Sequence, residues 1–206
     1  MTSPQIVRTS VLNVVVLVSG TGSLLQSILD HQDENYRVVK VVADKPCRGI
    51  ERAREAGIDT HVVPLEGDRA VWDAELTHAV ADAPHPVDVV VSAGFMKILG
   101  SEFLDCFGGR TINTHPALLP AFKGAHGVRD ALDYGVKVTG STVHFVDSGV
   151  DTGRIIAQRP VRVLADDDEA RLHERIKKEE RELIVEVLRH AEPDLETGSL
   201  FIDFSG

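Results

Sequence analysis

Residues 11–18 are an almost unbroken run of β-branched and apolar side chains, the pattern of a strand buried on both faces. Ser19-Gly20-Thr21-Gly22-Ser23 interrupts the run, and the leucines and isoleucine of 24–29 then follow at helical spacing. The alternation recurs down the chain. Strands are predicted over 37–43, 60–63, 87–92 and 110–113, and helices over 49–56, 69–80, 97–106 and 127–134. Gly57 and Gly135 stand where a left-handed residue closes a helix, and Trp72, Leu76 and Val80 mark the buried stripe of 69–80. Residues 139–146 and 155–163 bracket a glycine-rich turn and read as an antiparallel pair. The expected class is α/β: a mostly parallel, doubly wound sheet with helices on both faces and an antiparallel C-terminal portion. Residues 1–206 read as a single domain, with 1–10 and 192–206 as irregular tails. An apolar patch over 200–204 is a candidate edge strand.

The last helix carries an anomaly. Asp166 and Glu169 are spaced as a capping box, after which Leu172, Ile176, Leu183, Ile184, Val187 and Leu188 form one stripe. Glu180 falls on that stripe, four residues after Ile176 and four before Ile184. A carboxylate on an inward face needs a partner. Pattern alone leaves open a rim position, an arginine pair, or a ligand amine or hydroxyl.

Composition narrows the function. Hydrophobic residues make up 43%, ordinary for a packed core, and the net charge is -10 from 22 Lys+Arg against 32 Asp+Glu. That balance disfavours a nucleic-acid-binding role, which needs broad basic surface. Cys47 and Cys106 have no metal-ligand or CxxC spacing, the usage of reduced thiols in a cytoplasmic protein. The apolar run at 11–18 is too short to cross a membrane, and the first ten residues lack the layout of a secretion signal.

Asn113-Thr114-His115-Pro116 carries the sharpest chemical signal. Residues two apart on a strand share a face, so Asn113 and His115 point the same way at a strand's carboxyl end, where open α/β sheets bind ligands. An amide donor and an imidazole aimed at one point suit an oxyanion, and a carboxylate such as Asp151 could orient the imidazole or take a proton. No Ser or Cys nucleophile accompanies them, which favours direct acyl transfer between two bound substrates. Gly20-Thr21-Gly22-Ser23 lacks the third glycine of a dinucleotide fingerprint and the lysine of a P-loop. It suits either a mononucleotide phosphate at a helix start or a plain tight turn. The apolar stretch from Ala93 to Leu99, with Phe95, Met96, Lys97 and Ile98 between, suits either the wall of a slot for a flat ring or plain core packing of a loop. Asp147 and Asp151 flank a loop of small residues without the rhythm of a calcium loop, and no His/Cys cluster has zinc spacing.

Taken together, these motifs resemble the phosphoribosylglycinamide formyltransferases, folate-dependent enzymes of purine synthesis with a Rossmann-like formyltransferase fold. The likeness runs from about residue 14 to 188 and rests on four ordered segments: 18–23, 93–99, 113–120, and 140–146 with Asp151. It implies that the amine of glycinamide ribonucleotide takes the formyl group of 10-formyltetrahydrofolate, with no metal. Asn113, His115 and Asp151 match the catalytic trio. Gly22, Ser23 and Leu24 match the phosphate turn, and Lys177 and Glu180 a segment touching the ribonucleotide. Arg69, Met96, Lys97, Ile98, Leu99, Asn113, Asp147 and Asp151 match the folate side, with His144 and His126 in support. The implied partners are these two small molecules, without nucleic acid or membrane, in a cytoplasmic setting; a homodimer is compatible.

In the mechanism this implies, Asn113 donates to the formyl oxygen. His115, held positive by Asp151, adds a second donor, and Asp151 relays the amine's proton through water. The chain departs from the common family pattern at Thr21 and Leu24, at Thr114 and at Thr152. Thr114 is expected to face away from the chemistry and matter little, and Thr152 to stiffen its loop. Formyltetrahydrofolate hydrolases and methionyl-tRNA formyltransferases share this core but carry additional domains. A non-catalytic nucleotide- or folate-binding module would have no need of the trio.

Overall fold

A computed structural model describes residues 11–194 and 199–202. In chain order the elements are β1 (Leu12–Val18), α1 (Ser23–Asp30), β2 (Tyr36–Ala43), α2 (Arg48–Glu55), β3 (Asp59–Val62), α3 (Arg69–Ala81) and β4 (Val89–Ser92). They continue with α4 (Ser101–Phe107), a 3-10 turn (Gly108–Arg110), β5 (Thr111–His115), α5 (Gly127–Tyr134), β6 (Val138–Phe145), β7 (Ile155–Arg162) and α6 (Glu169–His190). The chain ends in β8 (Ala191–Pro193) and β9 (Leu200–Ile202).

Seven strands form one sheet in the order β3-β2-β1-β4-β5-β6-β7. The pairs from β3 to β5 are parallel, whereas β5/β6 and β6/β7 are antiparallel. The expected α/β class is therefore the observed one. Alternation along β1 feeds two cores. Val14, Val16 and Val18 pack with α1, α2 and the second half of α6, while Val15 and Leu17 pack with α3 and α4 around Trp72, Leu76 and Phe103. The order reverses at β1, whose neighbours are β2 on one side and β4 on the other. A crevice opens at such a switch point, beyond the strands' carboxyl ends.

Several boundaries differ from expectation. Helix α4 starts at Ser101, because the chain leaves β4 through Gly94, at a left-handed φ of 69°, and runs through an irregular, bent segment to an extended Gly100. The buried Asp73 of α3 then caps α4 from a distance, accepting from the N–H of Gly100 at 2.7 Å and of Phe103 at 3.2 Å. The Asp166/Glu169 capping box does not form. Asp168 is the N-cap, accepting from Arg171 N–H at 2.8 Å, while the Asp167 carboxylate takes the Leu164 N–H and pairs with Arg175. The tail expected to be irregular pairs in part, β8 with β9, in a small antiparallel sheet of its own rather than at the edge of the main one. Residues 1–10, expected to be irregular, lie outside the described residues, as does Phe204 of the apolar patch.

Candidate active site

The strand ends of the switch point open into a cleft of about 610 Å³. Its wall carries Asn113 and His115 from β5, His144 from β6, Asp147 and Asp151 from the following loop, and Lys177 and Glu180 from α6. Gly22, Ser23 and Leu24 at the start of α1 and Met96, Lys97, Ile98 and Leu99 after β4 complete it.

Asp151 is the hub of the polar end. Its Oδ2 accepts from Gly124 N–H at 2.8 Å and lies 3.3 Å from His115 Nδ1; Oδ1 lies 3.5 Å from His144 Nε2. The His144 contact, the Gly124 N–H and the His115 charge hold its carboxyl down at about 2, against the opposing effect of burial. Asp151 occupies the left-handed region at φ 51°, and the loop around it depends on glycine. A Cβ on Gly153 would lie 1.8 Å from the Phe145 carbonyl oxygen. Thr152 does brace the loop, donating to Asp147 Oδ1 at 2.6 Å.

Both histidines are buried, and each is oriented by a backbone carbonyl. His144 Nδ1 donates to Phe145 O at 2.8 Å, which leaves Nε2 facing Asn113 Nδ2 at 3.3 Å and Asp151. His144 sits at an irregularity in the β6/β7 register, where a bulge re-aims a side chain. His115 Nε2 donates to Phe122 O at 2.8 Å, so the second donor expected for a formyl oxygen is engaged in this geometry. The ring thus stands between a carboxylate at Nδ1 and a carbonyl at Nε2.

At the opposite end, Gly22 is the N-cap of α1 at φ 69°, without a side-chain capping hydrogen bond among the described residues. The first N–H groups of a helix have no intrahelical partner. Leu24 turns its side chain into the core, so at this turn it offers a ligand its backbone. Met96 and Ile98 are 71% and 62% exposed, a large apolar display for side chains on a cleft wall. Ser19 Oγ accepts from Met96 N–H at 2.9 Å and ties this loop to the glycine turn.

Two expected site residues are not on the wall. Arg69 lies behind the apolar loop, donating to the Ile98 carbonyl with its guanidinium 4.4 Å from the centre of the Trp72 ring. His126 is exposed at the N-cap of α5, just beyond the wall residues Gly124 and Ala125. Thr114 requires the opposite correction: it does face away from Asn113 and His115, yet it lines the cleft and its hydroxyl donates to Glu180 Oε1. That contact gives the inward Glu180 a protein partner for one of its oxygens. His173 was not anticipated. It lines the cleft in register with Lys177 and Glu180, and its spacing of four and seven residues from them was the available signal. Burial, then the nearby Lys177 charge, lowers its pKa.

The crevice sets a strand-end amide and a buried histidine–carboxylate pair across from an apolar slot, an arrangement suited to a group-transfer enzyme. The formyl transferase family model matches residues 12–188, and the chain belongs to that family. It is 59% identical over 176 residues to the phosphoribosylglycinamide formyltransferase of Mycobacterium tuberculosis (strain ATCC 25618 / H37Rv), covering 84% of this chain and 81% of the relative. It is 42% identical over 175 residues to that of Escherichia coli (strain K12), covering 82% of each. Glycinamide ribonucleotide transformylase 1 from Symbiobacterium toebii superposes with a TM-score of 0.85 at 37% identity, over 97% of this chain and 98% of that one. Within the family, the chain falls among the phosphoribosylglycinamide formyltransferases, the folate-dependent branch that serves purine biosynthesis.

Proposed function

We propose that this cleft moves the formyl group of 10-formyltetrahydrofolate to the amine of glycinamide ribonucleotide, with Asn113, His115 and Asp151 as the reacting constellation. The observation that carries the reading is their convergence. Asn113 and His115 share one face of β5, and Asp151, thirty-six positions after His115 in sequence, lies 3.3 Å from its ring.

The neutral amine attacks the formyl carbon, the carbonyl oxygen gains negative charge, and the bond to the folate nitrogen then breaks. Asn113 Nδ2 supplies the directed donor, and its contact with His144 Nε2 keeps the amide from rotating. His115 contributes charge in place of the second hydrogen bond, because the Phe122 carbonyl occupies Nε2. With its pKa near 2, Asp151 is a poor proton acceptor at neutral pH. It serves as a fixed negative charge, and the amine's proton passes through water to the departing folate nitrogen, which leaves as the neutral amine of tetrahydrofolate. The Gly22 turn with Lys177 suits the phosphate, and the exposed Met96 and Ile98 suit the folate ring.

The reading extends to a cytoplasmic enzyme acting on two diffusible substrates. Among the described residues no helix is long and apolar enough to cross a membrane, and Cys47 and Cys106 are free. The test is folate release measured with and without glycinamide ribonucleotide. Release dependent on the ribonucleotide, with a formylated product, is expected. Release without it would make the protein a hydrolase, and binding without turnover would make it a carrier.

A further inference from the structure

We propose that Thr114 is a positioning residue for substrate binding: its hydroxyl holds one carboxylate oxygen of Glu180, so that the other stays presented to the ribonucleotide. The inference rests on the proposed function and concerns a residue outside the reacting trio.

Thr114 lies between Asn113 and His115 on β5 and points to the opposite face of the strand. It is buried, and β5 is an interior strand flanked by β4 and β6. A β-branched side chain in that setting is restricted to few rotamers, so its hydroxyl is a fixed donor. Glu180 sits on the cleft-facing side of α6. The acidic neighbours Glu179, Glu182 and Glu186 all converge on Arg159, on another side of the helix. Lys177, one turn before Glu180, is paired with Glu174 at 2.8 Å. Among the described residues, Thr114 is the hydrogen-bond donor to the Glu180 carboxylate.

Burial raises the pKa of that carboxyl, and the Thr114 bond is the foremost influence pulling it back, ahead of the Lys177 and Arg181 charges. One neutral donor cannot saturate a carboxylate, which has about four lone-pair sites. The second oxygen is thus available to a hydroxyl or amine of the ligand. Strand β5 thereby serves both halves of the reaction, with two residues on one face toward the formyl group and the residue between them aiming a carboxylate at the acceptor.

Steady-state kinetics on Thr114→Val and Thr114→Ser test this. Valine keeps the shape and removes the donor; serine keeps the donor. The valine variant is expected to raise KM for glycinamide ribonucleotide about tenfold, the effect of losing one hydrogen bond to a charged group. Its kcat and folate KM stay within about twofold, and serine restores the ribonucleotide KM, on the same reasoning. In a Glu180→Ala background, which leaves the Thr114 hydroxyl no acceptor at this position, the valine change adds little. Thr114→Ala carries the same expectation, so a valine variant that fails to fold leaves the test standing. An unchanged ribonucleotide KM, a serine variant as impaired as valine, or a valine effect undiminished in the Glu180→Ala background overturns the inference. A wild-type protein that moves no formyl group overturns the proposed function and this inference with it.

Discussion

Replacing Asp151 with Asn removes a charge and almost nothing else. The side chain keeps its size, and one oxygen remains to accept the Gly124 N–H that now bonds Oδ2 at 2.8 Å. What disappears is the attraction across 3.3 Å to a protonated His115. At an effective dielectric of about 20, Coulomb's law puts that pair at about 5 kcal/mol, and solvent in an open cleft reduces it to about 2–4 kcal/mol. Loss of one oxyanion-stabilising group typically costs about 2.7–4 kcal/mol, in agreement. At 1.36 kcal/mol per tenfold, kcat is expected to fall roughly 30- to 1,000-fold. The ribonucleotide KM should stay within about threefold, since Gly22, Lys177 and Glu180 lie on other elements of the wall. Absorbance of the released folate gives both constants. A variant with kcat within threefold of wild type would refute the claim that this charge stabilises the reaction.

The same substitution has a signature in stability. The Asp151 carboxyl falls from an ordinary 3.8 to about 2 in the folded protein. A group lowered in this way stabilises the fold wherever it is ionised in both states, above about pH 4. The contribution is lost as pH falls from about 4 to about 2 and is at most about 2.5 kcal/mol, less after screening by cleft water. Urea unfolding across that range should show the wild type losing this increment while Asp151→Asn does not. Parallel pH dependence in the two proteins would count against a depressed carboxyl at this position.

Gly127→Ala should cut kcat by at least about tenfold, because a Cβ there would lie 2.9 Å from Phe122 O and 3.1 Å from His115 Nε2 and so displace the ring; the same assay reads it, with ribonucleotide KM as the internal control. Gly22→Ala places a side chain at φ 69° and 2.6 Å from Gly49 Cα. It should destabilise the fold by about 1–3 kcal/mol in urea titration and raise the ribonucleotide KM more than the folate KM. Asp73→Ala strips two N–H acceptors from the start of α4. It should cost about 2–3 kcal/mol by denaturation and weaken folate through the loop ahead of Gly100, measured as folate KM.

How far the molecule could be read from its residues depends on the range of the forces involved. Strands β1, β2 and β4 show in nearly continuous apolar runs, because a strand covered on both faces leaves that mark locally. Asn113 and His115 were legible for the same reason, since a two-residue period on a strand is a local property. The start of α4 was not, because it is set by Asp73, twenty-seven positions before Gly100. Nor was the cap of α6, where three successive aspartates compete and Asp167 is drawn off by Arg175 and the Leu164 N–H. The site shows the same division. Spacing could place an amide and an imidazole on one face but could not show that a backbone carbonyl, Phe122 O, would take the imidazole's outer nitrogen. Thr114 illustrates it most sharply. Its direction on the strand was read correctly, but facing away from Asn113 and His115 does not mean facing away from function when a carboxylate from α6 meets it there. Where a β-strand is covered on both sides, either face can serve the chemistry, and the helix packed behind it decides which does.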